Sequence, residues 1–117
     1  MKNNVLQQKS YAFAIKIVEC YKIISKKDII ISRQLLKSGT SIGANIEESI
    51  GGQSNNDFIS KIYIAYKEAR ETKYWLNLLK DTNYLDKNEA EKLLIDCEEL
   101  LKIMGKIIST LKLKIDN

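Results

Sequence analysis

The chain contains no histidine and no proline, and its 117 residues include only two cysteines, one tryptophan and five glycines. With so little proline and glycine there is scant material for turns, so few and long elements are expected. Without histidine, Cys20 and Cys97 have no imidazole to join them. No C-x-x-C spacing links them either, which excludes a zinc site and a redox motif. Both fall on apolar helical seams and read as small buried hydrophobes. No apolar run approaches the length of a membrane span, and Met1-Lys2-Asn3-Asn4 lacks the hydrophobic stretch of a signal peptide. The expected location is therefore the cytoplasm.

What is present is an ordinary globular balance, 44% hydrophobic and 29% charged, which argues against disorder. The length suits one domain with a real core. Lysine and arginine exceed aspartate and glutamate by 19 to 15, a net +4 that is compatible with a nucleic-acid partner without demanding one.

Apolar residues recur at alternating steps of four and three. The last segment carries Ala90, Leu94, Cys97, Leu101, Met104, Ile108, Leu111 and Ile115 on one seam, and Asp86 is its N-cap with Glu89 three positions on. The first segment repeats the pattern with Leu6, Ser10, Phe13, Ile17, Cys20 and Ile24, and Ser25-Lys26-Lys27-Asp28 closes it. The third opens at Ser54, with Asp57 three residues later, and runs through Phe58, Ile62, Ala65, Ala69, Thr72, Leu76 and Leu79 to Asp81-Thr82-Asn83. Four helices over about residues 4–27, 31–50, 55–82 and 87–114 follow, with no strand period anywhere. Connections this short require antiparallel neighbours, so the predicted fold is an all-α, up-down-up-down four-helix bundle in a single domain.

The second helix is unusual. Leu35, Ile42, Ile46 and Ile50 have helical spacing, yet between them lies Ser38-Gly39-Thr40-Ser41-Ile42-Gly43-Ala44-Asn45, rich in poor helix formers. Glycine costs roughly 1 kcal/mol against alanine inside a helix. Gly39 and Gly43 share one face, so another backbone is expected to approach there, within the fold or within an assembly.

Helix three has more apolar surface than one bundle needs. Beyond its seam it carries Tyr63, Ile64, Tyr66, Tyr74, Trp75 and Leu78 around much of its circumference, where a monomer keeps a broad polar face. A wide internal core would account for this. The preferred reading is a contact between subunits, with Tyr63, Ile64, Tyr74, Trp75 and Leu78 as interface candidates, because Ile29-Ile30-Ile31 adds further unassigned apolar surface.

Among the polar residues, Glu47, Glu48, Glu68, Arg70 and Glu71 invite an enzymatic reading. Di-iron bundles need a Glu-x-x-His motif, however, and no carboxylate spacing singles out a magnesium site. The expectation is structural: Arg70 pairs with Glu47 or Glu71 in a partly buried network between helices two and three, and Asn45 adds hydrogen bonds. No catalytic residue, metal or cofactor is expected. Basic residues are uneven. Residues 1–27 hold six lysines against Glu19 alone, and helix four is acidic early and basic late. Antiparallel packing would gather Lys2, Lys9, Lys106, Lys112 and Lys114 at one end, a candidate for phosphate contacts, although exposed lysines commonly just solvate a surface.

Ser32 through Glu48, with its SIGANIEE core, together with Asp57-Phe58-Ile59-Ser60-Lys61 and Lys67-Glu68-Ala69-Arg70-Glu71-Thr72-Lys73-Tyr74-Trp75-Leu76, closely resembles the bacterial four-helix-bundle proteins. That family includes the 23S rRNA intervening-sequence proteins, and the chain is also similar to the accessory variability protein of diversity-generating retroelements. Many relatives carry Ala-Glu-Gly after the Asn-Ile pair, where this chain reads Glu47-Glu48-Ser49. The resemblance implies a ring-like homopentamer. For the retroelement branch it further implies nucleic-acid binding and partnership with a reverse transcriptase. A repeated lysine surface would add avidity to weak, sequence-independent contacts with RNA or DNA. The competing expectation is a homo-oligomeric protein-interaction scaffold without nucleic acid.

Overall fold

The computed structural model describes the backbone of residues 2–116 and the side chains of residues 5–112. Four helices fill it: α1 (Lys2–Ile24), α2 (Ile29–Ile50), α3 (Asn55–Asp81) and α4 (Lys87–Asp116). They form an all-α four-helix bundle of 49 × 22 × 21 Å. Among the described residues each helix packs most extensively on its neighbour in sequence, and the α1–α4 contact that closes the bundle is the smallest.

The helix ends follow from capping chemistry. Ser54 and Asp86 act as expected: Ser54 Oγ accepts from Asp57 N at 3.1 Å, and an Asp86 carboxylate oxygen accepts from Glu89 N at 3.2 Å. The first boundary differs from expectation. Asp28, read from sequence as the tail of the first helix, is the N-cap of α2, extended at φ −153° and accepting from Ile30 N and Ile31 N at 3.2 Å each. Ile24 therefore ends α1 and Ile29 starts α2. Asn83 takes the left-handed conformation (φ 66°) in the turn after α3, a role asparagine fills better than most residues.

The core takes Leu6, Phe13, Ile17 and Ile24 from α1, and Leu35, Ile42 and Ile46 from α2. The α3 seam lies inward from Ile62 to Leu79, with Phe58 half-buried at its start. Each large apolar side chain so buried stabilises the fold by about 1.5–3 kcal/mol. The α4 seam needs a correction. Leu93 and Leu100 are buried, whereas Leu94 and Leu101 pack half-buried at the edge. Spacing alone does not choose within the doublets Leu93-Leu94 and Leu100-Leu101; the rotation of α4 that buries Ala90, Cys97 and Met104 does. The side chain of Ile115 lies outside the described residues.

One face of the small-residue run, Ser38, Gly39 and Ile42, is buried within the fold, because α2 is held between α1 and α3, while Ala44 is exposed. A Cβ placed on Gly39 would meet Ile17 Cγ1 and Cγ2 of α1 at 2.9 Å, and one on Gly43 would meet the Ser10 carbonyl oxygen at 3.4 Å. On the side towards α3, Thr72 Oγ1 donates to Ser38 Oγ at 2.9 Å, both residues being fully buried. Hydroxyls at Ser38, Thr40, Ser41 and Ser49 bond back to carbonyls of their own helix, so their polarity is satisfied where they stand.

Candidate nucleic-acid interface

The charge gradient along α4 acquires partners in the bundle. Its acidic first half faces lysines from both neighbours: Lys16 reaches Asp96 at 2.7 Å and Lys9 reaches Glu99 at 3.3 Å from α1, while Lys73 of α3 reaches Glu98 at 2.6 Å. Lys9 is therefore not a free member of the expected cluster. It lies one helical stretch inward and is matched to Glu99 across the α1–α4 seam. From Leu100 to Ile115 the sequence has no acid, only Lys102, Lys106, Lys112 and Lys114. Lys102, Lys106 and Lys112 are exposed and form no ion pair among the described residues. The side chains of Lys2 and Lys114 lie outside the described residues. Lys102 was missed by sequence reasoning, although its place in the acid-free stretch was the available signal.

At the end where α4 finishes and α2 turns into α3, an apolar cleft of about 810 Å³ opens between Val5, Ile50, Phe58, Ile103 and Ile107, with Lys106 at its edge. Ile50 and Val5 are 42% and 50% exposed, so the described residues close this end of the core only in part.

The expected Arg70 network is not formed. Arg70 stands exposed on the side of α3 turned towards α4, where it lines a groove with Tyr66, Tyr74 and Lys102, and from there it does not face α2. Its intended partners are engaged elsewhere. Glu47 accepts from Gln7 Nε2 of α1, and Glu71 Oε2 accepts from the Trp75 indole at 2.9 Å. Asn45 Nδ2 donates to the Ser41 carbonyl of its own helix at 2.9 Å. Helices α2 and α3 are instead linked by Lys61 to Glu48 at 2.9 Å and by the buried Ser38–Thr72 bond. Burial, then Glu71, raises the Glu68 carboxyl above its ordinary value, and Lys37 pulls it back.

The aromatic face of α3 divides. Trp75 and Leu78 are half-buried; Trp75 packs against its own core with the Tyr74 ring edge-on at 4.9 Å. Tyr63, Ile64 and Tyr74 remain exposed, as do Ile29 and Ile30.

Neither thiol offers a nucleophile. Burial, then Glu98, pushes Cys97 up to about 12, and burial, then Glu89, pushes Cys20 up to about 11, so both stay protonated near neutral pH. Cys97 Sγ donates to the Ala69 carbonyl at 3.2 Å. Among the described residues no group of three cysteines or carboxylates converges to hold a metal ion. Among the described residues no helix is long and apolar enough to cross a membrane.

Residues 2–106 match the family model described as 23S rRNA-intervening sequence protein. A crystal structure from Bacteroides thetaiotaomicron, described as a protein with unknown function from the S23 ribosomal protein family, is 47% identical to this chain. It covers 93% of this chain and 99% of its own, with a TM-score of 0.90. No curated protein matches the chain.

Proposed function

The chain belongs to the 23S rRNA-intervening sequence protein family, and from that premise we propose that it is a non-enzymatic, homo-oligomeric accessory factor of the cytoplasm that holds RNA or DNA through lysine contacts to phosphate. The observation that carries this reading is the unopposed positive charge of late α4. Every acid in the middle of that helix, Asp96, Glu98 and Glu99, has a lysine partner from α1 or α3, while Lys102, Lys106 and Lys112 have none among the described residues. An excess of positive charge along an exposed helix face attracts a polyanion without reading its sequence.

Self-association is part of the same proposal. Sister copies would cover exposed Ile64 and the half-buried Leu78 and Trp75, and repetition would raise the avidity of each weak lysine patch. A second reading, an interaction scaffold that binds protein alone, draws on the apolar cleft beside Lys106.

The test is salt-dependent binding of mixed-sequence RNA and DNA to the full chain. Affinity should fall steeply between low and physiological salt, and replacing Lys106, Lys112 and Lys114 by Gln should flatten that slope. An intact oligomer that binds neither polymer at low salt would reject the proposal in favour of the scaffold.

A further inference from the structure

The groove between α3 and α4 combines two features that neither helix displays alone. Along α3, Tyr66, Arg70 and Tyr74 follow one another at one-turn intervals, about 6 Å apart along the axis. Tyr63 extends the row, its ring 6.5 Å from that of Tyr66, with Lys67 Nζ 5.7 Å from its centroid. Across the groove stands Lys102, and at Gly105 the missing side chain leaves α4 backbone beside the Tyr66 ring, since a Cβ there would lie 3.7 Å from Tyr66 Cε1. The Lys73–Glu98 pair, bonded at 2.6 Å, also lines the groove. The open volume is about 600 Å³. Glu98 is the one acid lining it and is matched by Lys73, which leaves Arg70 and Lys102 as uncompensated cations.

Tyr74 is 60% exposed beside these cations, and no partner in the fold covers its outer face. Rings and cations alternating along one track suit a polymer that is itself alternately aromatic and anionic. Duplexes keep their base faces stacked inside, whereas a single strand can present them. An acidic peptide would engage Arg70 and Lys102 but leave the exposed Tyr74 ring in water, whereas Tyr66 is half-buried against the core. We propose that this groove binds single-stranded nucleic acid, with bases stacking on Tyr66 and Tyr74 and phosphates contacting Arg70 and Lys102. The inference rests on the nucleic-acid reading above and assigns Tyr74 to a base rather than to a sister subunit.

The experiment compares fluorescence anisotropy of labelled single-stranded and duplex oligonucleotides of one length against the full chain, with Trp75 emission followed in parallel. Tyr74→Ala should weaken single-strand binding about tenfold and leave duplex binding unchanged, and Tyr74→Phe should retain the parent affinity. Arg70→Ala and Lys102→Gln should each reduce binding and lower its salt slope. Trp75 emission should change on single-strand binding, because its neighbour at 4.9 Å takes the base. If Tyr74→Ala binds single strands like the parent while the Lys106, Lys112 and Lys114 variant loses binding, the groove is rejected and the lysine-end reading stands. If neither polymer binds at low salt, both fall. A Tyr74→Ala chain that sediments with fewer subunits would make the residue a subunit contact and overturn the groove as well.

Discussion

The two faces of α2 and the seam between α1 and α4 hold the same bundle together by opposite means. At α2, backbones approach closely: Gly39 admits Ile17, Gly43 lies against the Ser10 carbonyl, and Ser38 meets Thr72 directly, both fully buried. At the α1–α4 seam, contact is sparse and long side chains reach across it, Lys9 to Glu99 and Lys16 to Asp96, all of them partly in solvent. At Gly39 the first arrangement tolerates almost no added volume. The second tolerates much and keeps the neighbouring surfaces open. Stability and surface charge are thus drawn from different sides of one small molecule.

Enlarging the dry side should give the largest effect. Gly39→Leu forces carbon into the space of Ile17, which has no exposed direction in which to yield, and should cost about 3 kcal/mol in urea unfolding. An unchanged midpoint would mean that α1 and α2 do not approach as closely as described. A smaller loss, about 1 kcal/mol, is expected for Thr72→Val, which keeps the volume and deletes the donor to Ser38. Pairing it with Ser38→Ala should recover part of that loss, and strict additivity would argue against the bond. The seam should respond least. Lys9→Ala and Lys16→Ala should each cost less than about 1 kcal/mol, and the difference should vanish near about 1 M salt. A larger loss that persists in salt would erase the contrast between the two regions.

Much of this contrast was legible in the residues, and the rest was hidden for physical reasons. The α3 seam was readable residue by residue because Lys67, Glu68, Arg70 and Glu71 interrupt every other face, so only one carries the spacing unbroken. On α4, leucine doublets satisfy two faces equally, and the choice fell to the packing of Cys97 and Met104. Gly39 and Gly43 announced a close approach, but not which helix makes it. Asp28 follows three residues already assigned to a helix tail, and its capping role depends on an extended backbone that composition does not display. Long charged side chains were the least readable. Arg70 is one residue from Glu71 in sequence yet turned to another helix, and Lys9 found its partner on α4, far along the chain. The α3–α4 groove was invisible for the same reason, since Lys102 and Gly105 join Tyr66 and Arg70 only in space.

The order of the contacts also bears on how the molecule assembles in time. Each strong interface joins consecutive helices, so hairpins can form one after another with short loops to close, and the chain has no prolyl bond to wait for. The two terminal helices share the smallest contact among the described residues, which makes that meeting line the natural place for the barrel of helices to breathe.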